Sequence, residues 1–206
     1  PDYANWYKMV PFGAPYEDLN NNCFYDDGID RPGVPDAKQT LFVAFADGDI
    51  SQRSAGNGFG GGINNPIFGA EVRLTVWAYE IYLPDVQYMR YQIVNKSKNT
   101  WDSTYFGFFA DPDSPIPNIT SYRDYPGCDT LLELGYNWNA NPAFVCGAYG
   151  VQVLQGPFNK ATGDSLGITA FTFSDMQYQC QGEANARSAH NYMKGYKTDG
   201  TSFLDP

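Results

Sequence analysis

The chain has 206 residues, of which 13 are basic and 23 are acidic, so that its formal net charge at pH 7 is −10. This charge repels phosphate backbones and anionic membranes and leaves no basic stripe, which excludes nucleic acid as a partner. Aromatic and charged residues each make up 17% of the chain, a balance typical of extracellular β proteins whose surfaces consist largely of neutral polar side chains.

The two ends and the hydropathy pattern give expectations about the parent molecule. No apolar run approaches the roughly 20 residues that a membrane-spanning helix requires. The first residues, Pro1-Asp2-Tyr3, are neither an initiator methionine nor a signal peptide. We therefore expect Pro1 and Pro206 to be interior positions of a longer polypeptide, although a trimmed chain would have the same ends.

The first motif along the chain is an acidic loop at residues 18–30, in which oxygen-bearing side chains occupy alternate positions. Calcium binds six to eight oxygens at about 2.3 to 2.6 Å, and alternate residues of a tightly curled loop can all face inward. The sequence therefore predicts one structural calcium ion in this loop. The candidate ligands are the side chains of Asp18, Asn20, Asn22, Asp26 and Asp30 and the backbone carbonyl of Phe24.

Two positions of this loop depart from the EF-hand pattern. Cys23 stands where glycine allows the sharp turn, and Ile29 stands where an acidic residue normally closes the site, so that Asp30 must close it one residue later. Since no helix flanks the loop, we expect a structural clip and not a conformational sensor. The alternative is an Asn/Asp-rich loop that turns through side-chain-to-backbone hydrogen bonds without a metal.

Strands with period-two patterning dominate the next part of the chain. In residues 71–79 the side chains of Val72, Leu74, Val76 and Ala78 share one face. A turn signal at residues 83–85 follows, and residues 88–94 then alternate again, which predicts an antiparallel hairpin. Further strand candidates are residues 40–45, 104–109, 148–154 and 167–173.

Many short strands separated by Gly, Pro, Asn and Asp predict a mainly β fold, an antiparallel β-sandwich or jelly roll with long loops. One short helix is predicted from about residue 182 to Lys194, ending at Gly195 and carrying the single histidine, His190. We expect one β-rich module over residues 1–206. Within it, residues 1–38 form the calcium-loop segment, residues 39–180 the sandwich, and residues 181–206 the helix and tail.

Two other sets of residues are candidates for cross-links and ligands. Asp111, Asp113 and Asp129 can form a second cation or polar-ligand site, with a solvated loop as the alternative. The four cysteines contain no C-x-x-C pair, which favours disulfides over zinc or redox chemistry. Three pairings are possible, and Cys128 with Cys146 are the nearest in sequence. The cysteines are Cys23, Cys128, Cys146 and Cys180.

Short motifs over roughly residues 10 to 200 also follow a characteristic order. They include Asp30-Arg31-Pro32-Gly33, Phe68-Gly69-Ala70-Glu71, Asp111-Pro112-Asp113, Gly127-Cys128-Asp129-Thr130 and Gln155-Gly156-Pro157. In these motifs the chain resembles the large secreted proteins of Bacteroidota-type bacteria that carry a C-terminal type IX secretion sorting domain. The resemblance implies export and an extracellular or cell-surface location, and it implies no reaction. The sorting domain itself is absent from these 206 residues.

The sequence therefore favours a non-catalytic structural or adhesive module of a larger secreted protein, stabilised by calcium. Its expected partners are the rest of the parent polypeptide, other extracellular proteins or a polysaccharide. The alternative is a carbohydrate-binding module in which Trp77 and Tyr79 stack on sugar rings. A third hypothesis is a jelly-roll glycoside hydrolase, for which Glu71 and Glu133 are the carboxylate pair left open by the sequence.

Overall fold

The computed structural model describes residues 2–52, 67–81, 83–110, 124–139, 148–173 and 186–202. By its internal contacts the chain divides into two compact units, Pro1–Ser54 with Ile63–Asp102 and Ala55–Gly62 with Ser103–Pro206. The expectation of a single module over residues 1–206 stays a prediction. Within the described ranges, no helix combines the length and the apolar character needed to cross a bilayer.

The predicted mainly β class is confirmed, and every strand pair that the structure describes is antiparallel. The predicted single short helix near the C-terminal end is confirmed as well. The first unit contains β1 (Tyr16–Glu17), β2 (Arg31–Pro32), β3 (Gln39–Ala46), β4 (Ala70–Ala78) and β5 (Gln87–Asn95). The second contains β6 (Asp124–Asp129), β7 (Leu134–Asn139), β8 (Tyr149–Gln152) and α1 (Ala186–Met193). Short 3-10 helices span Asp2–Lys8, Val10–Phe12 and Ile50–Gln52.

The main sheet of the first unit has the order β3-β4-β5. The predicted hairpin is confirmed, since β4 and β5 pair in antiparallel register with Leu74 opposite Tyr91. Leu83 adopts a left-handed φ of +54° in the connecting turn, and its carbonyl accepts the Val86 N–H at 3.0 Å. Asp47 holds the start of β4 in place, because its carboxylate accepts the backbone N–H groups of residues 68, 69 and 70.

The two faces of this sheet are covered differently. Thr75 and Thr40 are 2% and 4% exposed and lie on the face against which Trp6 packs, and the Trp6 ring meets Phe42 edge-on at 6.5 Å. The opposite face carries the apolar alternation seen in the sequence, yet its outer positions stay open: Leu41 and Val43 on β3 are 58% and 46% exposed. The N-terminal segment thus selects the more polar face of the sheet for burial.

The second unit has its own sheet, in the order β6-β7-β8. Its central strand places the Tyr136 ring over Gly127, where a Cβ atom would clash with the ring. Helix α1 ends at Met193, and the predicted cap Gly195 follows with a φ of +81°, the left-handed conformation that glycine tolerates best. The His190 ring meets Tyr105 edge-on, with 5.3 Å between ring centroids.

Three predictions about the second unit need correction or lie out of reach. Residues 104–109 and 167–173 form no regular strand, because alternation produces a strand only where a partner supplies ladder hydrogen bonds. The Cys128 to Cys146 disulfide is not formed, since Cys128 is a free cysteine on β6, opposite Gly135 of β7. Cys23 is also free, whereas Cys146 and Cys180 lie outside the described residues.

Candidate metal-binding loop

The loop at residues 18–30 is closed at its base by the pairing of β1 with β2. Glu17 lies opposite Arg31 in this two-residue ladder, and their side chains form an ion pair at 2.8 Å on the surface. Such an exposed pair adds at most about 1 kcal/mol of stability. Just outside the ladder, the Pro15 carbonyl accepts the N–H of Gly33 at 3.0 Å and extends the closure by one residue on each side.

Asp30 is the residue that joins the two limbs of the loop. Its side chain is buried, with 5% of the residue exposed. One carboxylate oxygen accepts the N–H of Leu19 at 2.9 Å, and the other accepts the N–H of Asp26 at 2.7 Å. Among the described residues no basic side chain forms an ion pair with it. A buried carboxylate without a counter-charge is expensive unless something else neutralises it.

Asp26 is the point on which two amide side chains converge. Its Oδ2 atom accepts Nδ2–H groups from Asn20 at 2.8 Å and from Asn22 at 2.6 Å. These two hydrogen bonds, that of Asn20 first, favour the charged form and lower the pKa of Asp26 below its ordinary value. Asn20 and Asn22 therefore meet Asp26 through their nitrogen atoms, while their Oδ1 atoms face backbone N–H groups.

Asp18 and the asparagines also curl the backbone of the loop. Asp18 accepts the N–H groups of Asn22 at 3.2 Å and Cys23 at 2.7 Å. Asn20 Oδ1 accepts the N–H of Asn22 at 3.2 Å, and Asn22 Oδ1 accepts the N–H of Phe24 at 2.8 Å. These are the side-chain-to-backbone turns that residues at alternate positions can make.

The irregular position of Cys23 is accommodated by the backbone. Its φ is +67°, so the sharp left-handed turn forms although the residue is not glycine, and Asn21 has a similar φ of +58°. The Phe24 side chain points to solvent at 72% exposure. In the described part of the chain the Phe24 carbonyl accepts no hydrogen bond, so it remains available as a ligand.

Two tyrosines belong to this region, Tyr16 just before the loop and Tyr25 within it, and neither is a predicted ligand. The rings of Tyr16 and Tyr25 meet edge-on with 5.3 Å between centroids. Burial, followed by the negative charges of Asp18 and Asp30, raises the pKa of Tyr16. Burial, followed by nearby aspartates including Asp30, also raises the pKa of Tyr25. The raised pKa of both phenol groups thus reflects, besides burial, the negative charge of the loop.

The second predicted cation site is only partly described. Asp111 and Asp113 lie outside the described residues. Asp129 caps its own turn, since its Oδ1 atom accepts the N–H groups of Leu131 at 2.9 Å and Leu132 at 3.1 Å. In the described ranges, which include Asp18, Asp26 and Asp30, no three His, Cys, Asp or Glu side chains are grouped so as to hold a metal.

The predicted sugar-stacking residues use their rings within the sheet. Trp77 stacks on Tyr88, with 5.4 Å between centroids and 14° between ring planes, and Tyr79 meets the same tyrosine edge-on. Trp77 and Tyr79 are both half-buried. One face of Trp77 is therefore already occupied.

The two glutamates of the hydrolase hypothesis each have partners of their own. Glu71 is paired with Arg73 and Lys96, and its pKa is lowered, first by the hydrogen bond from Arg73. Glu133, in the other unit, accepts the N–H of Ile168 and has a left-handed φ of +54°. A general acid needs a raised pKa, so the environment of Glu71 does not fit that role.

The chain matches no protein-family model, and comparisons with curated proteins and with solved structures give no significant match. The resemblance to secreted proteins with a type IX sorting domain therefore stays a prediction.

Proposed function

We propose that this chain is a non-catalytic structural or adhesive module of a larger secreted bacterial protein, and that a calcium ion in the loop at residues 18–30 stabilises it. The observation that carries the proposal is the buried carboxylate of Asp30, which links both limbs of the loop and has no basic partner among the described residues. A divalent cation supplies the missing positive charge.

The donor set fits calcium in number and in chemistry. Five side chains and the Phe24 carbonyl provide six oxygen ligands, within the six to eight that calcium takes. Three of the side chains are carboxylates, and hard oxygen donors suit calcium better than they suit zinc or copper. Each asparagine Oδ1 uses one lone pair for a backbone N–H and keeps a second one.

The competing interpretation is a loop held by hydrogen bonds alone. The amide groups of Asn20 and Asn22 satisfy Asp26 in the absence of a metal, so the loop can close without one. The two interpretations differ in one measurable property. Only the calcium interpretation makes the stability of the chain depend on the free calcium concentration.

Two measurements on the purified chain test the proposal. Titration calorimetry with calcium gives the number of sites and the affinity, with magnesium as the control because it keeps its waters and demands a stricter geometry. Terbium, which replaces calcium in oxygen sites, should emit when tyrosine is excited, since Tyr16 lies just before the loop and Tyr25 within it. A melting temperature that is the same in calcium and in a chelator, together with silent terbium, contradicts the proposal.

The extracellular part of the proposal rests on composition, charge and the motif resemblance. Its partners would be the remainder of the parent polypeptide or other extracellular proteins. Beads coated with the chain should therefore attach to surfaces that carry those proteins, and the attachment should require calcium. The carbohydrate-binding alternative stays a prediction. Trp77 stacks on Tyr88 with one ring face, so only its other face could stack on a sugar.

A further inference from the structure

The N-terminal clasp, which we define as residues 2–15, contains the two buried apolar residues of the described chain. Trp6 is 6% exposed and Ala14 is 3% exposed. The Trp6 ring packs against Tyr3 and Phe42, at centroid distances of 5.4 and 6.5 Å. Docking of the clasp therefore buries Thr40 and Thr75 on the more polar face of the sheet.

A single carbonyl oxygen joins the clasp to the base of the acidic loop. The Pro15 oxygen accepts the indole N–H of Trp6 at 2.8 Å and the backbone N–H of Gly33 at 3.0 Å. Pro15 directly precedes β1, and Gly33 directly follows β2. Both lone pairs of this oxygen are in use, one on the clasp and one on the loop closure.

A second shared partner lies at the start of β3. Thr40 Oγ1 accepts the N–H of Val34, on the exit limb of the loop, at 3.0 Å. The backbone of Thr40 exchanges two hydrogen bonds of 3.2 Å with the hydroxyl of Tyr3, on the clasp. Gly33 has a φ of +102°, and a Cβ atom there would lie 2.9 Å from Thr40 Oγ1, so the fit is close.

We infer that closure of the loop and docking of the clasp are one cooperative event, so that calcium bound at residues 18–30 tightens Trp6 on the sheet. Both clasp anchors, Trp6 and Tyr3, share their partners with the base of the loop. When Pro15 and Thr40 are held in place by one segment, the other segment finds its hydrogen-bond partners already ordered. Ordering of the clasp therefore favours closure of the loop, and closure of the loop favours ordering of the clasp. The inference rests on the proposed calcium site and adds a readout at a distance from it.

Linkage requires the effect to be reciprocal. If calcium tightens the clasp by a given factor, then weakening the clasp must lower the calcium affinity, by at most that factor. Trp6→Phe keeps an aromatic ring and removes the indole donor to Pro15. One neutral hydrogen bond corresponds to roughly a threefold to tenfold change in an equilibrium constant. We therefore expect calcium binding up to about tenfold weaker in Trp6→Phe. Trp138→Phe, in the second unit, is the matched control and keeps the wild-type affinity.

Hydrogen exchange and calorimetry on the whole chain test the inference together. In the wild type, calcium should slow amide exchange of residues 2–15 by roughly threefold to tenfold, the range expected for one hydrogen bond. If calorimetry shows calcium bound while exchange of the clasp is unchanged and Trp6→Phe binds like the wild type, the inference is overturned and the proposed function stands. If calorimetry shows no binding, both are overturned. Exchange in the wild type decides the matter even if Trp6→Phe fails to fold.

Discussion

Replacing Asp30 by asparagine is the sharpest test of the calcium site. The substitution keeps the size and one acceptor oxygen of the side chain but removes its charge, and it places an amide N–H2 group against one of two backbone donors, the N–H of Leu19 or of Asp26. The loop therefore loses a ligand charge from a position that is 5% exposed. We expect the calcium affinity to fall at least about 100-fold, since even groups that only orient metal ligands cost 10- to 100-fold when removed.

The expected size of the effect follows from mass action. Calcium at 100 times its dissociation constant stabilises the wild type by about 2.7 kcal/mol. In a chain of this length that corresponds to a melting temperature higher by about 5 to 11 °C. At the same calcium concentration, a 100-fold weaker site supplies only about 0.4 kcal/mol. The calcium-induced rise in melting temperature should then shrink to about 1 or 2 °C.

The assay is thermal unfolding followed by circular dichroism, in calcium and in a chelator, for three proteins. Asp27→Asn is the matched control, because it removes the same charge from a neighbouring position. Asp27 is exposed, and its side chain makes no hydrogen bond among the described residues. Wild type and Asp27→Asn should share the calcium-induced rise, and Asp30→Asn should lack most of it. Equal rises in all three proteins would refute the role of Asp30. Equal losses in both variants would show that overall charge, and not this site, governs the response.

Three further predictions concern other parts of the first unit. Asn22→Ala removes a donor to Asp26, so the pKa of Asp26, measured by carboxyl NMR, should rise toward its ordinary value of 3.8. In the wild type the folded-state pKa of Asp26 lies below its unfolded-state pKa. The stability that Asp26 contributes is therefore present above the unfolded-state pKa and is lost as the pH falls through the folded-state pKa. Asp47→Ala should lower the free energy of unfolding in urea by about 2 kcal/mol, since three backbone N–H groups lose their acceptor. Asp49→Ala is the control and should cost less, because it loses only hydrogen bonds within its own turn. Trp77→Ala should destabilise the sheet while glycan arrays stay blank before and after the change; strong binding that this variant abolishes would favour the carbohydrate-binding alternative.

Local patterning was sufficient where strands lie next to each other in sequence. The alternation in residues 71–79 and 88–94, with a turn signal between them, predicted a hairpin whose observed strands are Ala70–Ala78 and Gln87–Asn95. The same patterning failed in residues 104–109 and 167–173, where no strand forms. Alternation reports which side chains can share a face, but a strand exists only when a second backbone satisfies its hydrogen bonds.

The acidic loop shows the same division between local and non-local information. Its turns follow from spacing, because side-chain-to-backbone turns involve residues only two to five positions apart. Its calcium ligands and the closing role of Asp30 stay predictions. The burial of Asp30 was not predictable from spacing. Nor were the two shared acceptors, Pro15 and Thr40, that connect the loop to Trp6.

The sequence by itself therefore determined the mainly β class and the central hairpin, since each depends on neighbours along the chain, whereas the calcium donors in the loop stay a prediction. Only the tertiary structure decided which face of the sheet is buried. The apolar alternation of Val72, Leu74 and Val76 pointed to one face, yet Trp6 covers the other, where Thr75 is 2% exposed. The reason is physical: a segment some 70 residues away supplies the ring and the hydrogen-bond donor that make burial of that face favourable, and no local pattern encodes such a contact.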